Sequence, residues 1–319
     1  MSTILHAGWI KPLTILFATE SPTNEKAFAF ALAAARDFRA KLIIFHAYDT
    51  LAVAASEASG VRYYDYAGAA RAEEELLHPL LKRAGDVGVQ AEIVVRPGLA
   101  AQQILSYVTD HQIDRIIMGT RAPGPLGKLF VGSVAEEVVR GSHLPVMTVG
   151  PEAVDGSFHA YKIRRILCAV SLNSSCRQIV DLATRLAIEH GAHLTLLHVM
   201  PTRQEMKLEP GRSIETIDAE LSSLVPPEIK EKVAVEFISA VGDPVEEILY
   251  QSNLRQIDLL VFGAQEASQL STITKQGLVN KVLAQSLCPV LTLTAVAPEK
   301  GKRPSTEVVD PEVYMAGIF

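Results

Sequence analysis

Cysteine is scarce in this chain. Only Cys168, Cys176 and Cys288 occur among 319 residues, and no two of them form a C-x-x-C pair. An odd count without such spacing fits reduced thiols, and it excludes the class of small disulfide-stapled secreted domains. The cytoplasm is therefore the expected compartment, and Cys168, inside an apolar run, is expected to be a core residue.

Long apolar runs and an excess of basic residues are missing as well. No stretch approaches the roughly 18 apolar residues of a membrane-spanning helix, and the N-terminal MSTILHAGWIKP does not have the pattern of a secretion signal. Lys and Arg total 30 against 36 Asp and Glu, which gives a formal charge of −6. Phosphate backbones attract clustered cations, so neither a nucleic acid nor a membrane is an expected partner.

Signatures of several well-known active sites are lacking too. The segment Gly124-Pro-Leu-Gly127-Lys128-Leu129 has neither the spacing nor the hydroxyl of G-x-x-x-x-G-K-[ST], and no G-x-G-x-x-G follows a predicted strand. H-E-x-x-H and G-x-S-x-G are also missing. We therefore assign no catalytic residue and no metal ligand. His46 and His198 lie at corresponding strand ends, and we interpret them as structural histidines rather than as a catalytic or metal pair.

What the sequence does contain is an alternation of strands and helices, with a hydrophobic content of 48%. In the first half, apolar runs predict strands over 14–19, 41–47, 91–95, 116–118 and 144–149, and helical periodicity predicts helices over 25–39, 69–84 and 100–109. Residues 48–68 have no clear pattern. Strands separated by helices of this length form βαβ units, so we predict a doubly wound α/β fold.

The second half repeats the first. Ile15-Leu16-Phe17-Ala18 corresponds to Ile166-Leu167-Cys168-Ala169, Ile113-Asp114 through Gly119 to Ile257-Asp258 through Gly263, and Leu144-Pro145-Val146 to Cys288-Pro289-Val290. Such self-similarity indicates a tandem duplication. We predict one domain over residues 1–150, a linker over 151–162, a second domain over 163–297 and a C-terminal tail over 298–319.

Each predicted domain ends in an apolar strand, over 144–149 and 289–294, that an isolated sheet would leave as an unprotected edge. Pairing of these two edges would bury both. We therefore predict two five-stranded parallel sheets, Rossmann-like or flavodoxin-like in strand order, that pack as an internal dimer about a pseudo-two-fold axis.

The stretch from Ile113 to Val149 is the most informative part of the first half. A predicted strand ends at Gly119, a loop rich in glycine and proline follows, and a helix is predicted from Ser133 to Gly141, with Ser133 as N-cap and Glu136 completing a capping box. A loop that folds back on a helix N-terminus can bind an anion such as phosphate. The same glycines and serine also fit an ordinary turn that binds no ligand.

This stretch resembles the corresponding part of the universal stress protein family. The resemblance, to the tandem form of the family, extends over nearly the whole chain. The family's nucleotide-binding pattern is a glycine, two residues, a second glycine, nine residues, a third glycine and then Ser or Thr. Here Gly119, Ala122, Gly132 and Ser133 occupy the four positions. The second half departs further, because Gly263 is followed at the corresponding positions by Glu266, Gln276 and Gly277. In addition, Ser171 stands where the first half has the acid Glu20. A carboxylate repels phosphate, so we expect the nucleotide site of the second half to be lost.

In ATP-binding members the loop surrounds the phosphates and an acid near the end of the first strand lies by the nucleoside. The resemblance thus implies a nucleotide site made of Ala18, Thr19, Glu20, Ala47, Met118, Gly119, Arg121, Ala122, Lys128, Gly132, Ser133, Val134 and Ala135. Ala122 adds a methyl group where the family has glycine, and Glu20 is longer than the usual Asp. Arg121 and Lys128 are candidates to neutralise phosphate charge.

The resemblance implies a cytoplasmic stress-response regulator that binds an adenine nucleotide, ATP first of all, with Mg²⁺ as an optional companion. One alternative is a module that binds no nucleotide and contacts a partner protein through the C-terminal tail or residues 48–68. Another is a slow ATPase, with Glu20 as its only recognisable base. Whether two tandem chains associate into a homodimer stays open.

Overall fold

One continuous sheet of ten strands organises the protein, in the order β3-β2-β1-β4-β5-β10-β9-β6-β7-β8. It was traced in a computed structural model that describes residues 7–20, 23–48, 66–120, 132–153, 162–172, 176–200, 214–263 and 278–294. Both repeats contribute five strands, and each has the order 3-2-1-4-5, which is the Rossmann-like one of the two predicted alternatives.

The elements of the first repeat follow the predicted alternation of strands and helices. After a short 3-10 turn at Ala7–Trp9 they are β1 (Thr14–Thr19), α1 (Glu25–Phe38), β2 (Lys41–Tyr48), α2 (Tyr66–Asp86), β3 (Ala91–Pro97), α3 (Ala100–Asp110), β4 (Arg115–Gly119), α4 (Ser133–Gly141) and β5 (Val146–Val149).

The second repeat has the same elements and one additional short helix. Its elements are β6 (Arg165–Ala169), α5 (Cys176–His190), β7 (His193–Met200), α6 (Ile214–Ser223), α7 (Pro227–Lys230), β8 (Val235–Val241), α8 (Pro244–Leu254), β9 (Leu259–Gly263), α9 (Leu278–Gln285) and β10 (Val290–Leu293).

Local sequence accounts for most of these boundaries. Helix α1 begins where the Asn24 side chain accepts a hydrogen bond from the Ala27 N–H, and it ends at Arg39, which adopts the left-handed conformation with φ 55°. Helix α2 begins three residues before the predicted start. Strand β5 begins two residues later than predicted, because Ser142 forms a turn in which its hydroxyl binds the backbone of Leu144.

The two repeats are joined through β5 and β10, the only antiparallel pair in the described sheet. Thr148 and Thr292 are fully buried there. The Thr148 hydroxyl donates to the Val290 carbonyl at 3.3 Å, and the Thr292 hydroxyl donates to the Val146 carbonyl at 3.2 Å. This reciprocal pair of bonds is what a pseudo-two-fold axis produces, so the predicted internal dimer is confirmed as one continuous sheet.

An aspartate contact with the backbone also occurs once in each repeat. Asp114, just before β4, accepts hydrogen bonds from the N–H groups of Leu13 and Thr14 at 2.8 and 3.0 Å. Asp258, just before β9, accepts from Arg164 and Arg165 at 2.8 and 2.9 Å. Each carboxylate therefore fastens the beginning of the central strand, β1 or β6, to its neighbour.

Helices α1 and α5 bring a second cluster of residues from the two repeats together. The rings of Phe38 and His190 lie 5.9 Å apart in an edge-to-face arrangement. The guanidinium of Arg115, a fully buried residue, lies 5.8 Å from the Phe38 ring and donates to the Trp9 carbonyl at 2.5 Å. Burial, reinforced by the positive charge of Arg115, lowers the pKa of His190 from 6.5 to about 4.

Among the described residues, no helix is long and apolar enough to cross a membrane.

The His190 cluster makes the stability of the chain depend on pH. Because the pKa of His190 is lower in the folded chain than in the unfolded chain, its contribution is complete above pH 6.5 and is lost as the pH falls toward about 4. Urea unfolding across this range should show a steeper loss of stability in the native chain than in a His190→Gln variant. The same change at exposed His193 is the control, and identical pH profiles for the native and His190→Gln chains would contradict the prediction.

Candidate functional site

The strand order creates a crevice between β1 and β4. The chain leaves β1 toward β2 on one side and leaves β4 toward β5 on the other, so the connections diverge at the carboxyl ends of these two strands. In open α/β sheets ligands bind at such a switch point. Strands β1 and β4 pair in parallel with Ala18 opposite Met118, which places these two predicted site residues side by side at the crevice.

The carboxyl end of β1 supplies Thr19 and Glu20. Thr19 is half-buried, and its hydroxyl donates to the Glu20 carbonyl at 3.0 Å. Glu20 is exposed one residue beyond the strand, so the predicted acid stands at the rim of the crevice. Ala47 lies on the neighbouring strand β2, one residue past the pairing of His46 with Thr19, and it is half-buried.

Helix α4 brings its N-terminus from the other side of the loop. Its N-cap is Gly132, with no side-chain hydrogen bond at the cap, and Ser133 is the first helical residue. The prediction of Ser133 as N-cap in a capping box was therefore wrong by one position. Glu136 pairs instead with Arg140 at 2.5 Å, one helical turn ahead. Glycine at the cap provides no acceptor, so the first-turn N–H groups of Ser133, Val134 and Ala135 have no side-chain cap.

Between β4 and α4 lies the loop with the remaining predicted residues. Arg121, Ala122 and Lys128 fall outside the described residues, and so does the whole stretch 121–131. Thr120, the last described residue before this stretch, is only 2% exposed, and its N–H donates to the Val149 carbonyl at 3.0 Å. The loop thus starts from an anchored residue at the carboxyl end of β4.

Asn24 is a residue beside the crevice that the sequence did not identify as part of the candidate site. Besides capping α1, its side-chain amide donates to the Thr120 carbonyl at 3.4 Å. The contact joins residues 96 positions apart. Local patterns report helix caps and carry no signal for such a distant partner, so the sequence could not identify it.

His46 and His198 have equivalent roles in the two repeats. The Nδ1–H of His46 donates to the Thr19 carbonyl at 2.9 Å, and that of His198 donates to the Val170 carbonyl at 2.9 Å. Nε2 of His46 lies 3.4 Å from a carboxylate oxygen of Glu73 on α2. Both histidines therefore hold the end of a central strand, in agreement with their interpretation as structural residues.

The second repeat keeps the framework of the crevice. Strands β6 and β9 pair with Ala169 opposite Phe262, and Gly263 ends β9 as Gly119 ends β4. Ser171, which replaces the acid, is half-buried after β6, whereas Glu266, Gln276 and Gly277 lie outside the described residues. Within the described parts of both repeats, no group of three or more His, Cys, Asp or Glu side chains is placed to hold a metal ion.

Comparison with known proteins gives the same family for both repeats. The model of the universal stress protein family matches residues 13–150 and again residues 162–293. A universal stress protein of Thermus aquaticus is 32% identical over 146 residues, 43% of this chain and 97% of that protein. The Bacillus subtilis universal stress protein YxiE is 28% identical over 136 residues, 40% of this chain and 92% of that protein.

A solved structure extends the likeness across both repeats. The crystal structure of a universal stress protein from Archaeoglobus fulgidus superposes with a TM-score of 0.69 at 16% identity, covering 90% of this chain and 98% of that one. At this identity the likeness concerns the fold.

The two histidines provide a matched pair of stability measurements. His46→Leu and His198→Leu each remove the donor to a strand-end carbonyl, so each should lower the free energy of unfolding by about 1–3 kcal/mol. Chemical unfolding with urea measures both, and Glu73→Gln, which leaves the bond to Thr19 in place, should have a smaller effect. Unchanged stability in both leucine variants would show that these bonds do not hold the strands.

Proposed function

The chain belongs to the universal stress protein family in tandem form, and we propose that its first repeat binds an adenine nucleotide, with ATP as the first candidate. The observation that carries this proposal is the position of the α4 N-terminus, which has no side-chain cap and follows the loop that starts at the β1–β4 crevice. N–H groups at a helix N-terminus attract phosphate through hydrogen bonding and through the helix dipole.

We assign the phosphates to the side of the crevice formed by Gly119, the loop and α4. Gly132 and Ser133 through Ala135 would contribute backbone N–H groups, and the Ser133 hydroxyl, which is exposed, would add a donor. Arg121 and Lys128 are the loop cations available to offset the phosphate charge. Mg²⁺, where it accompanies ATP, would be coordinated by the phosphate oxygens.

The nucleoside would lie toward β1 and β2. Ala18, Thr19 and Met118 would form the floor of this side, Ala47 would lie beside the base, and the exposed Glu20 carboxylate would face the ribose hydroxyls. A carboxylate accepts hydrogen bonds from ribose hydroxyls in many dinucleotide sites, which fits an acid at this position. Bound nucleotide would then act on a regulated partner, as expected of a stress-response regulator.

Placing a negative charge at the start of α4 tests the proposal. Ser133→Glu should abolish ATP binding, because its carboxylate would face the phosphates, and it should preserve folding, because acids in the first turn stabilise helices. Isothermal titration calorimetry with ATP and Mg²⁺ measures the binding. Gly277→Glu, the corresponding change in the second repeat, is the matched control and should bind ATP like the native chain. Native protein that binds no nucleotide at millimolar ATP would refute the proposal.

A second candidate function is favoured by Ala122 and Glu20. Relative to the family pattern, Ala122 carries an extra methyl group and Glu20 is a longer acid, and both additions would take up space that a nucleotide needs. They are expected if the first repeat is an interaction module without a nucleotide. In that case the C-terminal tail or residues 48–68 would contact the partner protein.

Restoring the family pattern separates the two functions. If the native chain is a nucleotide-binding protein, Ala122→Gly with Glu20→Asp should tighten ATP binding by about tenfold or less, since the site already works. If ATP binding is detected only in the double variant, the native chain is the interaction module. A slow ATPase would be recognised by phosphate released above background during the same ATP titrations. That release should vanish in Glu20→Gln.

A further inference from the structure

Gly119, the first glycine of the family pattern, is closely covered by the side chain of Asn24. A Cβ atom added to Gly119 would lie within 2.8 Å of three atoms of this side chain, Cβ, Cγ and Nδ2. Real Cβ atoms essentially never come so close to other heavy atoms, so any larger residue at position 119 would displace Asn24.

The backbone conformation of Gly119 gives no other reason for a glycine. The glycines with positive φ in the described chain are Gly88, Gly98, Gly191 and Gly242, and Gly119 is not among them. An L-residue could therefore adopt the backbone angles of position 119. What the position requires is space, and the group that fills this space is Asn24.

Asn24 uses both ends of its amide at this point. Its Oδ1 accepts from the Ala27 N–H at 3.0 Å and so caps α1, and its Nδ2 donates to the Thr120 carbonyl at 3.4 Å. That carbonyl belongs to the peptide group that begins the loop. The bond therefore holds the backbone at the point from which the loop departs.

We propose that Asn24 is a positioning residue of the nucleotide site. Its side chain packs over Gly119 and holds the Thr120 carbonyl, the last described carbonyl before the phosphate loop. This inference rests on the proposed function. In this inference position 119 is a glycine because its missing side chain makes room for Asn24, and close approach of the backbone to phosphate is not the reason. Asn24 and Gly119 are then also a coupled pair, in which a change at one alters the effect of a change at the other.

Asn24→Ser separates positioning from helix capping. Serine caps helices about as well as asparagine, so the melting temperature should stay within about 2 °C. The donor to Thr120 is lost, and the Kd for ATP with Mg²⁺ should rise about three- to tenfold. Asp243→Ser, at the N-cap of α8 in the second repeat, is the matched control and should leave the Kd unchanged.

A double-mutant cycle without nucleotide tests the packing of Asn24 on Gly119. Gly119→Ala alone should lower the melting temperature by about 5 °C, because the new methyl group overlaps the Asn24 side chain. In the background of Asn24→Gly, which removes that side chain and is tolerated at an N-cap, the same change should cost about 1 °C or less. Equal losses in both backgrounds would overturn the coupling.

Amide hydrogen exchange separates failure of this inference from failure of the proposed function. Asn24→Ser should speed exchange in the peptide that spans residues 118–132, whether or not the chain binds ATP. If the native chain binds no ATP but exchange speeds up, the nucleotide function fails and the positioning of the loop stands. If native and Asn24→Ser chains show equal exchange and equal Kd values, Asn24 is only a helix cap and the inference is wrong.

Discussion

The antiparallel pairing of β5 with β10 is the interaction on which the rest of the structure depends. Strands β5 and β10 are fully buried in the joined sheet. Without the pairing, each would be an open sheet edge, and open edges promote aggregation. With it, the edges satisfy each other and one core cluster extends from Ile15 in the first repeat to Leu293 in the second. The duplication therefore produces one sheet with two crevices, and each crevice is held in place by the strands of its own repeat.

Contacts that recur in both repeats show what this sheet requires. The aspartate before β4 or β9, the histidine at the end of β2 or β7 and the serine turn before β5 or β10 all bind backbone groups in the same way twice. Such groups are costly to leave unpaired when buried. A feature of the first repeat that the second lacks is not demanded by the sheet, and the Gly-Ser pair at the start of α4 is one such feature.

Much of the fold could be predicted from the sequence, because alternating apolar runs and internal repeats are local signals. The bounds of β1 were predicted to the residue, and the pairing of the two edges followed from their exposure in isolated sheets. The structure of the candidate site was less accessible. The sequence predicts Ser133 as the N-cap because serine is a commoner cap than glycine, whereas Gly132 takes that role. The bond from Asn24 to Thr120 and those of Asp114 join residues about 100 positions apart, and no local pattern encodes them.

An uncapped helix alone would be weak support for a phosphate site, and the structure itself shows why. Helix α3 also begins without a side-chain hydrogen bond at its cap, Leu99, yet it follows β3 at the outer end of the sheet. Helix α4 differs in location, because it follows the loop that leaves β4, whose carboxyl end lies beside that of the central strand β1. Helices α1 and α8, in contrast, begin with side-chain caps from Asn24 and Asp243. The combination of an uncapped start and a central crevice is what favours a ligand at α4.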